Sequence, residues 1–192
     1  MNKKITLKEI LEIYKDLFQN KTFEYTLTNG QTLKIKIYKE QICHLLGIQH
    51  IYDNDKHYLG KKGYELIEDE KMTVETLKKH NLTQFNFIKE RLIYFNEIYE
   101  ILTKGELIKF FKDRTYPKSN IRADFILYKD GEQKIFHLFL CEEYKSNYAP
   151  ISFVVKSKNE VYSKQYIQNQ EYKKIEKIRI YDSSIEKSIE KN

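Results

Sequence analysis

Several absences narrow the field before any motif is read. The 192-residue chain has two cysteines, Cys43 and Cys141, too few for a disulfide framework or a metal cage. A reducing cytosol is therefore the expected setting. No stretch approaches the roughly 18–20 apolar residues of a membrane span. Residues 1–10 carry basic side chains but no apolar segment of the kind a secretory signal has, so neither a membrane nor export is expected. There is no internal repeat and no linker rich in Pro, Gly or Ser, which points to a single domain over residues 1–182 followed by a charged tail, 183–192. Glycine-rich phosphate loops are missing as well, because Gly60-Lys61-Lys62-Gly63 is too short for one. No G-x-S-x-G elbow offers acyl transfer. No His, Cys, Asp and Glu set has metal-ligand spacing: His44 and His50 lie six apart with Gly47 between, which no single helix places on one face. Neither a metal nor another cofactor is expected.

What remains is a globular composition, 41% hydrophobic and 32% charged, in a chain long enough to bury a core without staples. The formal net charge of +6 permits an acidic partner such as nucleic acid without demanding one. Composition supplies a plainer source for it. The chain has 30 Lys against 4 Arg and 24 Ile against 2 Ala, the bias of an AT-rich genome. In such a chain each Arg is informative, because bidentate phosphate contacts favour Arg over Lys.

The pattern of apolar residues divides the chain into three blocks. Thr6 and Glu9 form a capping box for a helix over about 6–19, with Leu7, Ile10, Leu11 and Tyr14 on its apolar stripe. Phe23, Tyr25 and Leu27, then Leu33, Ile35 and Ile37, alternate with polar residues around Asn29-Gly30, the signature of a β-hairpin in which both turn positions tolerate positive φ. Residues 39–112 read as mainly helical: a short helix over 39–46 ended by Gly47, a turn at 60–63 before a helix near 62–68, and another around 76–79. The longest helix is expected within 84–103, where Phe85, Ile88, Leu92, Phe95, Tyr99 and Leu102 share a face. Residues 106–111 fit a helix or a strand. The period then changes to two. Ile121, Ala123, Phe125 and Leu127 read as one buried face of a strand, Asp130-Gly131 as a turn, and 134–141 as a strand covered on both faces. Strands over 151–156 and 175–181 follow, with a polar helix or extended loop over 160–172 between them. Segregated helices and strands argue for an α+β fold.

The side chains left over suit RNA cleavage without a metal. That reaction needs a base for the 2′-hydroxyl proton, an acid for the 5′-oxygen, and a cation for the charge that grows on the phosphorane. Histidine suits both proton transfers. His44 and His50 flank Gly47, and each also reads as an ordinary helix-end or surface residue. Arg91 reads as a phosphate ligand or a helix-surface ion pair, with Lys89 close by. His137 lies in the apolar strand, opposite a face carrying Arg122 and Asp124. Ser152 and Lys156 share one strand face.

The order of segments resembles a known family. It runs from the Asn29-Gly30 hairpin through Ile42-Cys43-His44-Leu45-Leu46-Gly47-Ile48 to Gly60-Lys61-Lys62-Gly63-Tyr64. It continues with residues 88–95 around Arg91, Ile121–Leu127, His137–Leu140, Tyr148-Ala149-Pro150-Ile151-Ser152-Phe153 and Asn169-Gln170. This resembles the fourth, phage-associated type of the Barnase–EndoU–colicin–RelE-like nuclease fold over about residues 6–181. The resemblance implies helices packed on a curved antiparallel sheet, with an N-terminal helix and a β-hairpin. It implies metal-independent endoribonuclease activity leaving a 2′,3′-cyclic phosphate, encoded by a phage or mobile element and acting in the cytoplasm of a bacterial host. His44, Arg91, Ser152 and Gln170 match the family's site positions, with His137 on the neighbouring strand. In this reading His44 is a general acid or base and Arg91, aided by Lys89, stabilises the phosphorane. Ser152 and Gln170 bind phosphate or base, and Tyr148 or Tyr162 stacks an unpaired base. Single-stranded RNA, including tRNA loops, is the expected partner. Two other readings share the fold: a non-catalytic, anti-CRISPR-like binder of RNA or of a host defence complex, and a toxin held by an antitoxin.

Overall fold

The computed structural model describes residues 5–183. Helix α1, Leu7–Leu17, begins as its sequence requires: Glu9 N–H donates to Thr6 Oγ1 (3.1 Å) and Thr6 N–H to Glu9 Oε2 (2.8 Å). Leu7, Ile10, Leu11 and Tyr14 are its buried stripe. Strands β1 (Lys21–Leu27) and β2 (Thr32–Ile35) form the hairpin. Only Gly30 takes positive φ there, at 83°, while Asn29 Oδ1 accepts from Gln31 N–H (3.0 Å). The turn is thus three residues long, closed by bonds between Leu27, Gly30 and Gln31.

The helical block holds α2 (Ile42–Leu46), α3 (Ile48–Ile51), α4 (Gly60–Glu68), α5 (Val74–His80), α6 (Leu82–Ile93) and α7 (Glu97–Lys104). Two expectations change. The Gly60–Gly63 stretch is the first turn of α4 rather than a turn before it. Gly63 is needed inside that helix, because a Cβ there would stand 2.3 Å from the Tyr58 carbonyl oxygen and 2.6 Å from Cys43 Sγ. The long helix over 84–103 is two helices, α6 and α7, separated by Tyr94, Phe95 and Asn96. Phe95 is fully buried, so the apolar rhythm runs through the break unchanged.

Residues 106–109 are a strand, β3 (Glu106–Lys109), followed by β4 (Phe125–Asp130), β5 (Lys134–Tyr144), β6 (Asn147–Ser157), β7 (Glu171–Lys173) and β8 (Ile175–Asp182). One curled sheet joins all eight in the order β7-β3-β4-β5-β6-β2-β1-β8, antiparallel except between β2 and β6. The fold is α+β, helices on a curled, mostly antiparallel sheet. No helix among the described residues is long and apolar enough to cross a membrane. The tail expected from 183 lies, beyond Ser183, outside the described residues.

Both faces of the central strands are covered. Phe136, Leu138 and Leu140 of β5, with Phe125 and Leu127 of β4, join the large core under the helices. Ile135 and Phe139, with Ile126 and Tyr128, join a second core roofed by Ile167 and by residues near 121 and 166. The expected strand over 121–128 therefore changes phase: Ile121 and Ala123 pack on the second core, Phe125 and Leu127 on the first. The roof has little regular structure. Residues 158–169 form turns, so of the two expectations for 160–172 the loop holds as far as β7 and the polar helix does not.

One detail of topology positions the site. Strand β2 pairs with β6 only at Lys34–Asn147 and Ile35–Tyr148. Beyond Tyr148, β6 stays paired with β5 but has no strand on its other edge, and α2 and α6 pack against it.

Candidate nucleic-acid cleft

At this opening a cleft of about 690 Å³ lies between α6, the free half of β6, residues 118–121 and residues 160–166. Arg91, Lys89 and Phe87 reach it from α6, and Ser152 and Lys156 from β6. His50, Lys118 and Tyr166 complete the wall. Its two carboxylates are already engaged. Glu90 Oε1 accepts from Lys134 (2.5 Å), and Glu160 pairs with Lys156 (3.3 Å). Lys89 and Lys118 have no carboxylate partner among the described residues. The cleft is thus basic and open to an anion.

Arg91 is the centre of the arrangement. Its Nη1 is sealed from solvent and finds no hydrogen-bond partner among the described residues. Burial pulls its pKa down to about 10, and nearby Tyr166 acts in the opposite direction. A buried guanidinium with an idle donor is costly, since such groups are nearly always paired.

A glycine brings His50 within electrostatic range of both Arg91 and His44. Gly47 has φ 81°, ends α2 and starts α3, so the chain turns between His44 and His50. The one-helix spacing that separated them in the sequence does not apply. His50 is held below the ordinary imidazole value by burial first, then by the charges of Arg91 and His44. His44, half-buried, is lowered by burial. Gln49 lies beside both: its Nε2 donates to the His44 carbonyl oxygen (3.5 Å) and sits 3.4 Å from His50 Nε2.

Gly47 also makes room for the arginine. A Cβ at this position would stand 2.7 Å from Ile88 Cγ2 and 3.0 Å from Arg91 Nη1. Gly47→Ala should therefore cost about 1–2 kcal/mol for the left-handed backbone alone, plus the displacement of Ile88 and Arg91. Thermal unfolding should report the loss. An alanine variant with wild-type stability would contradict this reading.

The structure sorts the expected site residues. Arg91, Ser152 and Lys89 line one cleft, and His44 lies within electrostatic reach of His50 on its wall. His137 does not reach it. Its ring is wholly buried, Nδ1 lies 3.4 Å from the Val154 carbonyl oxygen, and Nε2 has no partner. Tyr166 covers it edge-on at 5.3 Å, so His137 lies behind the cleft's wall. Arg122 and Asp124 are not its neighbours; Ile126 and Tyr128 share that face. Tyr148 is a core residue packed edge-on against Phe125 (5.4 Å), which leaves no ring face for a base. Gln170 is a clamp. Its Oε1 accepts from Phe111 N–H (2.8 Å) and its Nε2 donates to the Phe111 carbonyl oxygen (3.2 Å). Tyr162 lies in a neighbouring groove, apart from Arg91. Lys118 and Tyr166 are not singled out by the sequence, whereas His50 is raised there beside His44 without a role of its own. His50 is the one a signal existed for, in the helix-ending Gly47.

A basic cleft lined by a largely buried arginine thus lies beside the edge of β6 that β2 leaves. The family model described as phage-Barnase-EndoU-ColicinE5/D-RelE like nuclease 4 matches residues 6–192, and the chain belongs to that nuclease family. No curated protein and no solved structure matches the chain.

Proposed function

We propose that the protein is an endoribonuclease that cleaves single-stranded RNA without a metal, at the cleft around Arg91. The observation that carries this is Arg91, which lines the cleft without a carboxylate partner among the described residues, while the cleft's own carboxylates are paired with Lys134 and Lys156. Such a donor is prepared for charge that arrives with substrate and grows in the transition state. Among the described residues no group of three or more His, Cys, Asp or Glu side chains converges as metal ligands would. The cation in this reading is the guanidinium.

The reaction follows from the groups present. A neutral imidazole of the His44/His50 pair takes the proton of the 2′-hydroxyl, and the 2′-oxygen bonds to phosphorus. The bond from phosphorus to the 5′-oxygen breaks. The imidazolium returns the proton to that leaving oxygen, giving a 2′,3′-cyclic phosphate and a 5′-hydroxyl. Arg91 meets the non-bridging oxygens, Ser152 Oγ donates to one of them, and Lys89 holds a flanking phosphate. Burial first, then Arg91 and His44, hold the His50 imidazole below its ordinary pKa in the free protein, which favours the neutral base. A bound phosphate offsets Arg91 and raises the affinity of the imidazole for its proton during turnover.

The pH dependence tests the assignment. The base is active when deprotonated, so kcat/KM should fall only once the pH drops below the depressed imidazole pKa. The acid limb should lie below about 6.5, the ordinary value. His50→Gln should lower kcat by about 10²–10⁴-fold. An acid limb above 6.5, or a His50→Gln variant with unchanged kcat, would remove His50 from the reaction.

A further inference from the structure

A second groove of about 440 Å³, walled by Arg114, Tyr116, Tyr162, Lys164 and Gln168, adjoins the Arg91 cleft. The two hollows share Gln165. They also share their walls. Residues 114–121 turn Tyr116 to the groove and Lys118 to the cleft, and residues 160–169 turn Tyr162 to the groove and Tyr166 to the cleft. At the junction Gln165 Nε2 donates to the Pro117 carbonyl oxygen (2.9 Å), tying the two segments together. The first segment is further fixed by Thr115, whose Oγ1 donates to the Lys112 carbonyl oxygen and accepts from Ser119 N–H, both at 2.7 Å.

Two features of this groove are unexplained by folding. Tyr116 is 76% exposed and Tyr162 43%, and neither belongs to a core. Their rings nonetheless stand edge to face, 5.7 Å apart at 74°. No carboxylate lines the groove, and the Arg114 guanidinium carbon stands over the Phe111 ring, 4.0 Å from its centroid. Two presented aromatic faces flanked by Arg114 and Lys164 make a platform for a base and its phosphate. The volume falls within the roughly 300–1,000 Å³ of ligand sites.

We infer that this groove is a subsite for an unpaired nucleotide of the RNA whose scissile phosphate lies at Arg91, which makes the substrate single-stranded beside the cut. The inference rests on the nuclease reading of the cleft. A base held in a duplex has no free face to offer the two rings.

The test measures binding apart from cleavage. A fluorescein-labelled, single-stranded octaribonucleotide carrying 2′-O-methyl groups cannot be cut, and its Kd is read by anisotropy. The Tyr116→Ala/Tyr162→Ala protein should bind it about tenfold or more weakly than wild type. The Tyr116→Phe/Tyr162→Phe protein keeps both ring faces and should bind like wild type. The same strand annealed into a duplex should not distinguish the three. Equal Kd values for wild type and the alanine pair would overturn the groove, as would a wild type that binds no RNA. Cleavage of unmodified RNA by wild type, with a Kd unchanged in the alanine pair, would remove the groove and leave the nuclease. Tyrosine-dependent binding with no cleavage would remove the catalytic reading and leave the groove as an RNA site.

Discussion

Arg91→Met should lower RNA cleavage by about 10²–10³-fold while leaving the protein at least as stable as before. The two effects separate because Arg91 is a charge held for a substrate. Its Nη1 has no partner, and burial already pulls its pKa down to about 10. Methionine fills similar space between Gly47 and Ile88 and removes the desolvated charge. Arg91→Lys should not rescue activity, since a point charge on a flexible stem lacks the planar fork that grips two phosphate oxygens. Steady-state kinetics and thermal unfolding on the same preparations check both halves. A large fall in melting temperature with cleavage retained would make Arg91 a structural residue.

His137 should dominate the response of the fold to acid. Burial holds its pKa down to about 4, against about 6.5 in the unfolded chain. Between those values the unfolded chain binds a proton that the folded protein refuses, so stability rises with pH across the window. It is fully present above about 6.5 and is lost as the pH falls toward 4. The difference corresponds to about 3 kcal/mol. His137→Leu should remove this dependence, because leucine has nothing to protonate and Nε2 gives up no hydrogen bond. Denaturant unfolding at pH 7 and pH 4.5 measures it: the acid loss of the wild type should exceed that of the leucine variant by a few kcal/mol. Parallel losses in the two proteins would contradict the burial argument.

The contrast between His137 and Arg91 shows what a sequence reading can reach. Elements with a local cause were legible: the Thr6–Glu9 capping box, the alternation around Gly30, and the continuous apolar run of β5 that implies cover on both faces. That run already bore on His137, yet what covers it is residues 158–169, which have no periodicity to read. Tyr148 was obscured similarly, since the start of a strand does not announce which face its ring takes. The break between α6 and α7 was hidden because Phe95 keeps the helical rhythm through it. The pairing of His44 with His50 was hidden by assuming one helix, where Gly47 turns the chain between two. Arg91 stood out for a compositional reason, as one of 4 Arg among 34 basic residues. Its isolation from every described carboxylate required the fold, because β2 must leave β6 early to open the cleft.

Incubation of the purified protein with single-stranded RNA in excess EDTA, with end-group analysis of the products, tests the central claim most directly. The account predicts fragments ending in 2′,3′-cyclic phosphate and 5′-hydroxyl, absent when the substrate is 2′-deoxy at the cut and strongly reduced in Arg91→Met. Intact RNA, or cleavage that a 2′-deoxy substrate supports equally well, would contradict it.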